Sequence, residues 1–171
     1  MQSISWWPIL VVMTVATVTD LRSRRIPNWL VFPFLLTGVV VSTVVEGQSG
    51  FANSMLGILF ATVLMGLLRA LGAMGMGDVK LCAALGAWIG PHQMGFALAF
   101  MGLAGGVMAL GWAICGGFFK ESADGVGDLI VGFGNRGLRP HPTLVLTNPR
   151  ARRMPYAPAI AIGAILSFFA R

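Results

Sequence analysis

The chain has 171 residues, 56% of them hydrophobic and only 11% charged, whereas charged residues make up about a quarter of an ordinary soluble domain. That composition excludes a water-soluble globule, and the 23 glycines and many alanines are the small residues that let helices pack closely in a bilayer. The formal net charge of +6 does not indicate a nucleic-acid partner, because the basic residues sit in short connections between apolar runs and form no recognition face.

Six apolar helices are predicted, over Ile4 to Thr19, Trp29 to Val45, Ala52 to Leu71, Val79 to Ile89, Gln93 to Phe119 and Met154 to Ala170. The first has no Lys or Arg ahead of it, so it lacks the basic start of a secretory signal and is read as retained. Arg22, Arg24 and Arg25 follow it and place its C-terminal end in the cytoplasm. The third and fifth helices reach the roughly 20 residues a span needs, the first, second and sixth fall somewhat short, and the fourth has the length of a re-entrant or core helix. Charge decides for six crossings. With them Arg22, Arg24, Arg25, Arg69, Lys80, Lys120, Arg136, Arg139, Arg150, Arg152 and Arg153 are cytoplasmic and only Arg171 is outside; without the fourth crossing, the basic residues from Lys120 to Arg153 would lie outside, against the positive-inside tendency. The expectation is an all-α polytopic bundle forming one membrane-embedded unit over residues 1–171. Its long cytoplasmic connection at 120–153 is either a solvated connector or a binding segment.

Acidic residues among apolar spans carry a functional hypothesis. Asp20 closes the first apolar run in TVTDLRSRRIPN, and Asp78 follows a glycine-rich turn in GAMGMGDVKL. The six-span topology puts both at one level of the bundle. Glu46 falls outside, and Glu121, Asp124 and Asp128 fall in the polar connection. Either acid alone could be architectural, with Asp20 paired to Arg22 or Arg24 and Asp78 capping the fourth helix. Together they form a candidate catalytic pair: two neighbouring carboxylates hold one proton between them, so one member can take a proton from water while the other polarises a peptide carbonyl.

Gly75 and Gly77 are candidate active-site backbone, able to take left-handed angles or to let another chain approach. Lys80 is a supporting candidate that either tunes Asp78 or snorkels at the helix foot. Asn28 is another, as the N-cap that orients the short connection leaving Asp20. Gly86 with Gly90 and Gly102 with Gly106 have helix-packing spacing. Cys82 and Cys115, with no C-x-x-C pair, read as packing residues. His92 and His141 are isolated, so no metal set is expected.

The segments D-L-R-S-R-R-I-P-N at Asp20 to Asn28, G-M-G-D-V-K-L at Gly75 to Leu81 and M-P-Y-A-P-A-I-A-I-G at Met154 to Gly163 together resemble the type IV prepilin peptidases, the G-x-G-D membrane aspartyl proteases. The resemblance runs through nearly the whole chain and implies Asp20 and Asp78 as catalytic aspartates with Gly75 and Gly77 beside them. It also implies removal of the leader from pilin-like precursors at the cytoplasmic face of the bacterial inner membrane. The implied partners are the precursor, the lipid bilayer and the pilus assembly machinery, with no cofactor. Larger members carry a cytoplasmic segment with C-x-x-C pairs and methylate the new N-terminus; this chain lacks such pairs and is similar to the small, peptidase-only members of Flp-type (tight-adherence) systems, so no N-methyltransferase activity is expected. Presenilin-type proteases share G-x-G-D but place Tyr before the first acid, where this chain has Thr19. A proton-coupled transporter or a membrane scaffold is the alternative reading, although transporters usually keep coupling residues near the midplane between repeats, and no repeat is evident here.

Overall fold

The computed structural model describes residues 6–71, 74–116 and 155–170, and the regular structure within them is helical: α1 (Trp6–Ser23), α2 (Asn28–Ala70), α3 (Met76–Cys115) and α4 (Ala157–Ser167). Helices α2 and α3 are each broken at a glycine. Gly47 has φ 64° and ψ −140°, and Gly90 has φ 72° and ψ 175°, conformations that cost a residue with a Cβ.

The chain reverses at both breaks. In a straight helix Cys82 and Met101 would be about 28 Å apart, yet their sulfur atoms lie 4.0 Å from each other. Gly50 likewise presses on the carbonyl of Ser42, which a straight helix would hold about 12 Å away. Among the described residues there are therefore six helical arms: α1, 28–46, 48–70, 76–89, 91–115 and α4. They correspond to the six predicted apolar helices with shifted ends. The first runs on past Asp20 to Ser23, and the sixth covers only Ala157–Ser167. The connection at 120–153 lies outside the described residues, as does His141.

Arm 76–89 is the centre of the bundle. Every residue from Leu81 to Trp88 is buried, which is how an all-round apolar helix behaves when other helices surround it. Small side chains make that density achievable: Gly57 and Gly86 meet backbone to backbone, so the Gly86 and Gly90 spacing does serve packing. Gly102 and Gly106 do not, because a Cβ on either would touch nothing among the described residues; the interior position on that arm is Gly105, which lies against Tyr156. Cys82 is buried as expected, while Cys115 at the end of α3 is exposed among the described residues.

The Ala87 carbonyl and the Trp88 indole, both in the core, have identifiable partners. Pro91 has no N–H for the carbonyl of Ala87 four residues back, and two hydroxyls from the α2 hairpin serve it instead: Ser54 Oγ donates at 2.7 Å and Ser42 Oγ at 3.4 Å. Trp88 stacks on Phe34 with ring centroids 5.3 Å apart and donates its Nε1–H to the Phe34 carbonyl at 2.7 Å.

The exterior is oily. Trp7, Val40, Val44, Leu103, Val107 and Phe169 are among many large apolar side chains turned outward, a surface suited to lipid, and α2 and α3 are long and apolar enough to cross a membrane. One end of the bundle holds Gly47, Gly90 and the Trp6–Phe168 ring pair, with centroids 4.0 Å apart. The opposite end holds the last turn of α1 and the starts of α2, α3 and α4, where the candidate residues gather.

Candidate active site

Asp20 comes from the last turn of α1. It is 6% exposed, and its Oδ2 accepts the N–H of Ala157 at 3.0 Å. That amide is the first of α4, so the carboxylate sits against the positive end of a helix drawn from the far side of the sequence. The alternative pairing with Arg22 or Arg24 is not adopted, since both arginines are exposed. Arg24 instead ends α1. Its φ of 51° is left-handed, and its N–H donates to the Asp20 carbonyl at 2.8 Å, the turn that closes a helix at this position.

Asp78 is the third residue of α3. It is not the N-cap, which is Gly75; its carboxylate reaches back to accept the Gly75 N–H at 3.2 Å. The two carboxylates are within electrostatic reach of each other, so the structure brings Asp20 and Asp78 together although they lie far apart in the chain.

The glycines beside Asp78 are needed for space rather than for left-handed backbone. Gly75 is extended, with φ −77° and ψ 153°, and a Cβ on it would stand 2.9 Å from Asp78 Oδ2. Gly77 is helical, and a Cβ there would meet Ile26 at 3.2 Å. The connection leaving Asp20 is therefore seated on the turn that presents Asp78, and two sequence motifs form one contact.

Asn28 does something other than expected, and Lys80 meets it at the helix foot. The N-cap of α2 is Pro27, so Asn28 is the first helical residue, and its Oδ1 accepts from Lys80 Nζ at 3.2 Å. Lys80 also lies over the Phe32 ring, 5.6 Å from its centroid. The pair ties the start of α3 to the start of α2 at the rim, and the ammonium is directed to Asn28 and Phe32 rather than to Asp78.

Two further residues stand at the site without having been singled out as candidates in the sequence. Tyr156 lies inside the M-P-Y-A-P segment, and its hydroxyl is within reach of the Asp78 charge; the available signals were that it is the one tyrosine in the chain and that Pro158 follows it at a helix start. Thr17 precedes Asp20 by one turn on the same face of α1. Unlike Thr14 and Thr19, whose hydroxyls turn back to carbonyls four residues earlier, its hydroxyl is buried with no partner among the described residues.

The sequence matches an identifiable set of proteins. The type IV leader peptidase family model matches residues 7–110, which include both aspartates and the glycines between them. The chain is 26% identical over 161 residues to the prepilin leader peptidase/N-methyltransferase of Bacillus subtilis, covering 91% of this chain and 51% of that protein. It is 30% identical over 107 residues to the Aeromonas hydrophila protein of the same description, covering 58% of this chain and 37% of the relative, and 29% identical over 107 residues to that of Aeromonas salmonicida, covering 58% and 36%. The chain thus spans about half or less of the length of these relatives. No solved structure matches it. With the family match extending over more than half of its residues, the chain belongs to the type IV leader peptidase family.

Proposed function

We propose that this chain is a prepilin leader peptidase, an aspartyl endopeptidase that removes the leader from type IV or Flp-type pilin precursors. The observation that carries this reading is the meeting of Asp20 and Asp78 at one end of the bundle within a chain of the leader peptidase family.

The chemistry follows from a pair of acids that share one proton. The ionised carboxylate takes a proton from water as the water oxygen attacks the scissile carbonyl carbon. The protonated carboxyl donates to the carbonyl oxygen, where negative charge develops. Collapse of the tetrahedral intermediate breaks the C–N bond, a carboxyl proton passes to the departing amine nitrogen, and the pair again holds a single proton. The bare backbone at Gly75 and Gly77 lets the Asp78 carboxylate and Ile26 lie close against the turn that presents the acid.

The proposed setting is the bacterial inner membrane, crossed by the six arms, with the aspartates at the cytoplasmic face. Arg22, Arg24, Arg25, Arg69 and Lys80 all belong to that end of the bundle, as cytoplasmic basic residues do. The precursor is the proposed substrate and the pilus assembly machinery the proposed partner. The curated relatives are described as N-methyltransferases as well; the two cysteines here form no C-x-x-C pair, and the proposed product is unmethylated.

Mass spectrometry of a co-expressed Flp-type precursor tests all of this. The expected result is a precursor shortened at one peptide bond, without an added methyl group, in the presence of the wild-type chain and full-length with Asp20→Asn or Asp78→Asn. Equal processing by either variant would refute the paired-acid mechanism.

A further inference from the structure

The two acids stand on helices that share no broad face: α1 packs chiefly on α4, and α4 on α3. Two routes connect them. The longer leaves Asp20 through the Ala157 N–H, follows α4 to Gly163, which presses on Ala97 and Met101, and returns through the Met101–Cys82 contact to the arm that carries Asp78. The shorter runs along the chain from Asp20 to Ile26 and crosses to Gly77, the residue before Asp78. That short route is stiff. The Arg24 N–H donates to the Asp20 carbonyl at 2.8 Å and closes α1, Arg24 itself is left-handed with φ 51°, Pro27 restricts its own φ and the backbone of Ile26 before it, and Asn28 Oδ1 accepts from Lys80 at 3.2 Å. Between these fixed points Ile26 is half-buried and lies on the bare backbone of Gly77. A Cβ at position 77 would stand 3.2 Å from Ile26 Cβ, 3.5 Å from Cγ1 and 3.6 Å from Cδ1, whereas carbon atoms in contact settle about 3.5–4.0 Å apart.

We propose that Ile26 is a positioning residue of this site: through its seat on Gly77 it sets the gap between the Asp20 and Asp78 carboxylates. The proposal rests on the peptidase reading for its kinetic consequence but not for the seat itself. Ile26 acts through the backbone beneath it rather than on the substrate. Two acids that share a proton serve one water and one carbonyl only at a fixed separation, and such groups have to be held within about 0.5 Å of their working geometry. The seat also gives the glycine before Asp78 a reason specific to this fold. With any side chain at position 77, Ile26 has to withdraw by a few tenths of an ångström, and the end of α1 that carries Asp20 withdraws with it.

Exchange of bulk across the seat tests this, with the purified full chain acting on a Flp-type precursor. A displacement of about 1 Å costs about 100-fold in rate, so Gly77→Ala, which pushes Ile26 off by less than that, lowers kcat about tenfold. Ile26→Ala, which empties the seat, does the same, and KM stays within about twofold in both. Ile26→Val, which removes only Cδ1, loses less than Ile26→Ala. Ile26→Ala combined with Gly77→Ala recovers most of the rate that Gly77→Ala loses, because removal of Cγ1 and Cδ1 lets the two methyl groups part. Loss of packing alone predicts the reverse, a double variant worse than either single one. A second readout needs no substrate. In a Cys115→Ser background, Ile26→Cys with Gly77→Cys places two thiols near the Cβ separation of a disulfide, about 3.5–4.5 Å, and mild oxidation followed by mass spectrometry of the digest finds the two peptides joined. Wild-type kcat in both alanine variants overturns the proposal, as does a double variant slower than Gly77→Ala, or two cysteines that do not join. Joined cysteines in a protein whose unmodified form cleaves no precursor support the seat and refute the peptidase reading alone.

Discussion

Asparagine and alanine at position 20 separate what Asp20 does for the reaction from what it does for the fold. Asn keeps the shape of Asp and retains an oxygen that can accept the Ala157 N–H, now at 3.0 Å, but it can neither take up nor hold the proton. General acid–base groups contribute about 10²- to 10⁴-fold to rate, so Asp20→Asn is expected to lower cleavage about 10³-fold, equivalent to about 4 kcal/mol of barrier. Its thermal midpoint should stay close to wild type. Asp20→Ala loses the same rate and also leaves a helix N–H unsatisfied at a position only 6% exposed. A buried unpaired donor costs about 1–3 kcal/mol, which lowers the midpoint of a chain this size by roughly 3–10 °C. Precursor cleavage by gel shift and tryptophan-fluorescence melting in one detergent provide both numbers. The reasoning fails if Asp20→Asn cleaves within tenfold of wild type, or if it melts as early as Asp20→Ala.

Three further outcomes concern the bundle that holds the site. Gly57→Ala drives a Cβ into the Gly86 carbonyl and is expected to destabilise by about 1–3 kcal/mol. Gly66→Ala, where a Cβ meets nothing, stabilises the same helix by about 0.5–1 kcal/mol, and melting in detergent distinguishes the two. Ser54→Ala removes the shorter of the two hydrogen bonds to the Ala87 carbonyl, 2.7 Å against 3.4 Å for Ser42; it should cost about 1–2 kcal/mol, more than Ser42→Ala, and an equal loss would mean that the Pro91 break is served some other way. Arg24→Gly relieves a left-handed residue at φ 51° and should raise the melting midpoint slightly, by about 0.5 kcal/mol after the entropy gained by the unfolded chain, whereas the β-branched Arg24→Val should lower it.

Much of this protein was legible along the chain because the signals are local. An apolar run bounded by Gly, Pro or Arg has to become a helix wherever its backbone cannot bond to water, and all six predicted runs correspond to helical arms among the described residues. Glycine is the natural residue for a sharp reversal, and the connections near residues 47 and 90 were expected to be short; in the structure each reversal rests on one glycine with positive φ. Asp20 and Asp78 stood out by cost, since an acid among oily helices needs a reason to be there.

Tertiary structure decided what those residues touch. Asn28 looked like a cap, because Asn at a helix start usually is one, but Pro27 takes that place and Asn28 receives Lys80 from another helix. Gly102 and Gly106 had packing spacing, but spacing marks a face without saying whether a neighbour covers it, and Gly105 on an adjacent face is the one that meets Tyr156. The amide of Ala157 carries no signal in sequence at all, since every residue but proline has one; its hydrogen bond to Asp20 exists only because α4 begins where α1 ends. The sequence alone determined the helices and the two acids, through composition and local pattern. The distance between the acids, and the groups that hold them, depend on contacts between residues far apart in the chain, and those are set by how the helices pack.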